Sequence, residues 1–328
     1  MKQKFIIGLS VLLLLLAVFL IARDLFRNSP SFITTDCCGE DGALKEFDPS
    51  LIGFTKIKVI ATGLNNLSGI TTNNNGQIFV CGNEQVVAYD TSGNKTAEFA
   101  TDTMANCIAF KNDIIYIGTG AYITEYNKNG DLIDKWKPFK SDGYLTSLAP
   151  GDDFIYAADA MSKRILKYSY NGELEMTFGK KDSLTGAPGF VIPSLYFDVA
   201  YGGFNDLWLV NPGWLRLENY STSGSLRSSW GKASFENSGF TGCCNPVHMA
   251  LLPDGSFVTY EKGIDKIKLF DQAGQFQCMV AGAGSFRENA DFQLGNNNLV
   301  KDITTDSRGF IYILDAYNEI NIFKKNAI

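Results

Sequence analysis

The chain contains one histidine, His248, in 328 residues. A His-rich zinc centre cannot be assembled from it, and a Ser-His-Asp triad would have to use that residue. The G-x-S-x-G elbow on which such a nucleophile commonly sits is absent. No C-x-x-C spacing occurs among the seven cysteines, which weakens a zinc-ribbon or thioredoxin-like reading. Their odd number also prevents all of them from pairing within the chain. A basic excess is missing as well. Without residues 1–28, which hold four Lys/Arg and one Asp, 25 basic and 34 acidic residues remain, a net charge of −9. Such a surface repels phosphate backbones, so no nucleic-acid partner is expected.

One long apolar run is present, "FIIGLSVLLLLLAVFLIA" from Phe5 to Ala22, behind Lys2 and Lys4. A helix spans a bilayer core with about 20 apolar residues, so this run is just long enough. The following "IARDLFRNSPS" offers no small-x-small cleavage site, and no cysteine ends the run to take lipid. Residues 1–28 are therefore expected to form an uncleaved signal anchor, one transmembrane helix. The body would lie on the extracytoplasmic side, periplasmic or extracellular, although Arg23 and Arg27 blunt the charge bias. A cleaved secretory signal is the alternative. Residues 29–53 read as a linker carrying Cys37 and Cys38.

From residue 54 onward the chain repeats itself. Second strands read "QIFVCG", "IIYIGT", "FIYAAD", "LWLVN", "SFVTYE" and "FIYILD"; third strands read "QVVAYD", "YITEYN", "RILKYS", "LRLENY", "KIKLFD" and "EINIFK". In five copies an aromatic stands four residues before a hairpin glycine: Tyr89/Gly93, Tyr126/Gly130, Tyr168/Gly172, Tyr220/Gly224 and Phe270/Gly274. Four short strands per unit, β-branched and aromatic, predict an all-β fold, a six-bladed β-propeller over residues 54–328. The last copy lacks its fourth strand, and the orphan strand "KIKVIAT" (56–62) would complete it and close the ring.

The segments "LSGITTNNNGQIFVCGNEQVVAYDTSGN", "YAADAMSKRILKYSYNGE" and "VKDITTDSRGFIYILDAYNEINIFKK" resemble the NHL-repeat family of six-bladed propellers. The resemblance implies the architecture and leaves the activity open. That family includes binding modules, scaffolds and some lyase- or lactonase-like enzymes.

Strand order places the candidate residues. Connectors between blades and loops between second and third strands share one face of a propeller, and the two hairpin turns share the other. The long connectors 180–194, 232–246 and 282–298 then rise on one face, where they could wall a pocket. Aligning the six innermost strands puts Gly69, Cys107, Ser147, Asp198, His248 and Asp302 in one column. Asp198, His248 and Asp302 fall on successive blades and would suit a divalent metal or a substrate proton. Each could equally bond to the backbone of a neighbouring blade. Cys107 shares the column, and Trp214 in "NPGW" is a candidate ligand platform, or packs against blade 3.

Cys243 and Cys244, in "CCNPVH", and Cys37 and Cys38 form two vicinal pairs. They could be disulfides that staple the linker or strain a loop, a redox-active or metal-binding set, or free thiols. Cys81, Cys107 and Cys278 fall within strands and read as small buried hydrophobes. Three functions fit these residues. The first is a membrane-tethered binding or scaffold propeller that takes a protein partner or small ligand on its long-loop face. The second is a redox or metal-linked component built on CCNPVH. The third is a lactonase- or hydrolase-like enzyme at the channel mouth, drawing on Glu84, Asp159, Asn211, Glu261, Asp315 and Asn318, unless these only cap their loops.

Overall fold

The computed structural model describes residues 48–182, 187–203, 205–286 and 298–327. They form six antiparallel four-stranded sheets, each running from an innermost to an outermost strand. Blade 1 comprises Leu67–Thr72, Ile78–Gly82, Gln85–Tyr89 and Lys95–Ala100; blade 2 comprises Cys107–Lys111, Ile114–Thr119, Tyr122–Asn127 and Leu132–Lys135. Blades 3, 4 and 5 begin at Leu145, Val199 and His248 and end at Phe178, Trp230 and Ala281. Blade 6 takes three strands from the C-terminal end, Val300–Thr305, Ile311–Asp315 and Glu319–Lys325, and its outermost strand from Phe54–Ala61. That strand pairs in register from Phe54 opposite Lys325 to Ala61 opposite Glu319. The orphan strand thus closes the ring as its lack of a partner suggested, starting two residues earlier than the pattern indicated.

Short polar residues make the hairpins. Asp271 Oδ1 accepts the N–H groups of Ala273 and Gln275, and Asp306 Oδ1 those of Arg308 and Phe310. The aromatic-to-glycine spacing has a second role, in packing one blade on the next. Gly172 has φ +80°, and a Cβ there would stand 2.6 Å from the Trp136 ring of blade 2. The indole instead lies over the glycine and against Tyr168, centroids 5.5 Å apart. Phe99 with Tyr126, Phe178 with Tyr220 and Trp230 with Phe270 repeat the contact between successive blades at 5.2, 5.5 and 4.9 Å. At the seam Ile60 takes the aromatic's place beside Gly93 and Tyr89.

The connectors and the loops between second and third strands are bonded to each other. Asp159 Oδ1 accepts the Tyr144 N–H, Asn211 Oδ1 that of Val191, Glu261 Oε2 that of Thr241, and Asn318 Oδ1 that of Leu67. Asp315 Oδ1 caps its own loop at Tyr317 and Glu319. Capping therefore accounts for five of the six loop residues considered for an enzyme site.

No helix among the described residues is long and apolar enough to cross a membrane. The expected anchor (1–28) and the Cys37–Cys38 pair of the linker lie outside the described residues.

Candidate functional site

The polar column meets at the axis. Asp198 immediately precedes the innermost strand of blade 4, His248 opens that of blade 5, and Asp302 lies within that of blade 6. His248 Nδ1 stands 3.6 Å from Asp198 Oδ2 and 3.9 Å from Asp302 Oδ1. Both separations exceed hydrogen-bond length, so the groups converge without bonding one another. His248 Nε2 is buried without a partner among the described residues. One ligand atom from each residue lies within 4.8 Å of the others, making this the set among the described residues that could hold a metal ion.

Each carboxylate is also a rivet between blades. Asp198 Oδ2 accepts the Met249 N–H of blade 5 at 2.9 Å, and Oδ1 the N–H of Val199. Asp302 Oδ2 accepts the Ile70 N–H of blade 1 at 2.9 Å, and Oδ1 that of Ile303. Ser147 makes the lighter version of the bridge, its hydroxyl 3.3 Å from the Val199 N–H. Backbone bonding and convergence on the axis coexist here. Burial pushes the Asp302 carboxyl up to about 7, with His248 pulling it back and Asp198 adding to the rise.

The column divides two cavities. A channel of about 240 Å³ is lined by Asp198, Asp302 and Cys107, with small residues such as Thr71, Ala109 and Ala149. A second cavity of about 130 Å³ lies on the connector side, lined by Asp198 and His248 with Tyr144 and Tyr196. Sequence reasoning missed its remaining polar walls, Ser68, Asn106, Thr146 and Lys301. They occupy the column one residue before the polar one, so the same strand alignment read one step further contains them. Asn106 Nδ2 is a second buried group without a partner among the described residues.

CCNPVH is in the main a corner. Asn245 Nδ2 donates to Thr241 O at 2.7 Å and to Lys262 O at 3.2 Å, while its Oδ1 accepts the Lys262 N–H at 2.9 Å. These bonds tie the connector to the loop of blade 5, and the cis Asn245–Pro246 peptide leads into His248. The sulfurs of Cys243 and Cys244 stand 3.7 Å apart, beyond the roughly 2.05 Å of a disulfide, so the strained vicinal bond is not formed. Burial raises the Cys244 thiol against the pull of Lys262, the opposite of an activated nucleophile.

Of the two other candidates, Cys107 lines the channel beside Asp198 and Asp302, whereas Trp214 lies outside both cavities. Cys107 is buried, with its sulfur over Gly118 and its thiol pushed well up by burial, as a packed hydrophobe should be. Trp214 sits in a 3-10 turn between the second and third strands of blade 4, under the Arg216 guanidinium at 5.2 Å. It lines neither cavity. Trp214 thus stands in the loop at its own blade's rim, where its NPGW turn placed it, and packs there on Arg216.

No family model matches the chain, and no curated protein matches it. Solved structures do. A streptogramin B lyase superposes with a TM-score of 0.59 at 16% identity, covering 83% of this chain and 98% of that one. Virginiamycin B lyase from Staphylococcus aureus gives 0.55 at 14%, covering 83% and 99%. A WD40 β-propeller domain gives 0.54 at 9%, covering 79% of each. At these identities the likeness is one of fold, the β-propeller.

Proposed function

We propose that the chain is a membrane-tethered extracytoplasmic propeller that recognises a protein partner on its connector face. Residues 1–28 are the anchor, 29–53 the linker and 54–328 the binding or scaffold module. The observation that carries this reading is where large apolar side chains reach solvent. Met104, Tyr122, Met161, Val191, Leu195 and Phe235 are all exposed at the connector end of the blades. The other exposed large apolar residues, Ile57, Val59, Leu132, Ile133 and Leu174, lie on outermost strands at the rim. None of them lies in a described hairpin turn. Those turns instead carry charge, as at Asp90, Asp131, Asp152, Asp254 and Asp271. Apolar groups gathered on one face and surrounded by polar ones suit a protein contact.

A photocrosslinking residue placed at Leu195 or Phe235 of the membrane-bound protein should capture one recurrent partner. The same residue at Asn129 or Ser223, exposed in hairpin turns, should capture none. Equal capture from both faces, or none from either in folded protein, would overturn the assignment. For the anchor, deleting residues 1–28 should release the protein from alkali-washed membranes.

A further inference from the structure

We propose that Asp198, His248 and Asp302 bind one divalent metal ion on the axis of the ring. The inference is independent of any partner on the connector face. At metal–ligand bonds of about 2.0–2.2 Å, two donors to one ion stand at most about 4.4 Å apart. The imidazole–carboxylate spans of 3.6 and 3.9 Å fall inside that limit and outside hydrogen-bonding range. The three ligand atoms together lie within 4.8 Å of one another, so an ion between the groups needs at most a few tenths of an ångström of closure to reach all three.

Three further observations support it. First, no described residue hydrogen-bonds to the imidazole, so Nδ1, the nitrogen that faces both carboxylates, is open to a ligand. Second, the only basic side chain within ion-pairing distance of either carboxylate among the described residues is His248 itself. Two carboxylates brought together in a buried site repel, and a dication offsets both. Third, the carboxylates are already aimed. The N–H groups of Val199, Met249, Ile70 and Ile303 hold them in place and leave lone pairs on the same oxygens. The cavities on either side leave room for waters to complete the coordination. One imidazole and two carboxylates make a nitrogen–oxygen set suited to Mn²⁺, Co²⁺ or Zn²⁺, without the thiolates that would select a softer ion.

The single histidine makes the test unambiguous. Full-length protein without a histidine tag is stripped with chelator and titrated with Mn²⁺. We expect one saturable equivalent, a raised melting temperature, and an electron-spin-echo modulation from imidazole nitrogen, which in this chain can come only from His248. His248→Gln should lose the nitrogen signal and weaken binding at least about tenfold. Asp302→Asn should weaken it similarly, while Asp152→Asn, in a hairpin turn, should leave it unchanged. Absence of saturable uptake, uptake without the nitrogen modulation, or unaltered affinity in folded His248→Gln would each overturn the proposal. Because the modulation is read on the unaltered protein, the result does not depend on any variant folding.

Discussion

The carboxylate of Asp302 in the last blade accepts the backbone N–H of Ile70 in the first, 2.9 Å across 232 residues of sequence. Three residues away Asn318 Oδ1 takes the Leu67 N–H at the same distance. Together with the paired strands of blade 6, these bonds fasten the seam of the ring. Asn318 has φ +60°, so glycine keeps its backbone while removing the acceptor. Asn318→Gly should leave the Leu67 N–H unpaired at a cost of about 1–3 kcal/mol. Chemical denaturation should read that loss, and amide exchange should quicken at Leu67 before the centre of blade 3.

Gly172 and Gly309 separate backbone strain from packing. Both lie at positive φ, +80° and +83°, but a Cβ at Gly172 meets Trp136 whereas at Gly309 it meets open space. Alanine at either position costs about 1–3 kcal/mol of strain. Gly172→Ala should cost more than Gly309→Ala by the energy of displacing the indole from its place between blades. Equal losses by denaturant titration would mean that the Trp136 contact adds nothing.

Lys268 and Glu261 form an ion pair almost wholly out of water, with Lys268 also donating to the carbonyls of Asn237 and Gly239. Burial lowers the lysine and raises the glutamate, each toward its neutral form, while each partner opposes the shift. Lys268→Met should cost about 3–5 kcal/mol, because it strands a buried carboxylate. Adding Glu261→Gln should restore much of the loss, and a double-mutant cycle measures how much.

Glu125 sits directly across the strand pair from Asp134 and is buried. Burial first, then Asp134, raises its pKa above the usual carboxylate value. A carboxyl raised in the folded state holds its proton more tightly there, so its contribution is present below pH 4.5 and lost as pH climbs through the folded value. Glu125→Gln should accordingly raise the melting temperature at pH 7 and leave it little changed at pH 4. An equal effect at both values would remove ionisation as the cause.

The blades were legible because their period is carried by backbone needs: glycine where φ is positive, and an aromatic at a constant distance before it. The same period held a signal that went unread. Phe99, Trp136, Phe178 and Trp230 each follow their hairpin glycine by six residues, and each is the ring that covers the next blade's glycine. The convergence of Asp198, His248 and Asp302 could be read from strand register alone, since equivalent positions in a ring of blades point at a common axis. The contact of Trp214 with Arg216 was not legible, because it follows from a short 3-10 turn that no periodicity marks. The Cys243–Cys244 geometry was equally illegible, since it depends on how Asn245 folds the connector back on Lys262.

Because Phe54–Ala61 completes the sheet that ends at Lys325, the earliest part of the ring to leave the ribosome must wait for the latest. Every other blade can assemble as it is synthesised, but the unpaired edges at the opening persist until Glu319–Lys325 has been made. A premature stop anywhere before the last strand would leave the circle open, and such a product should be handled by chaperones and proteases rather than accumulate.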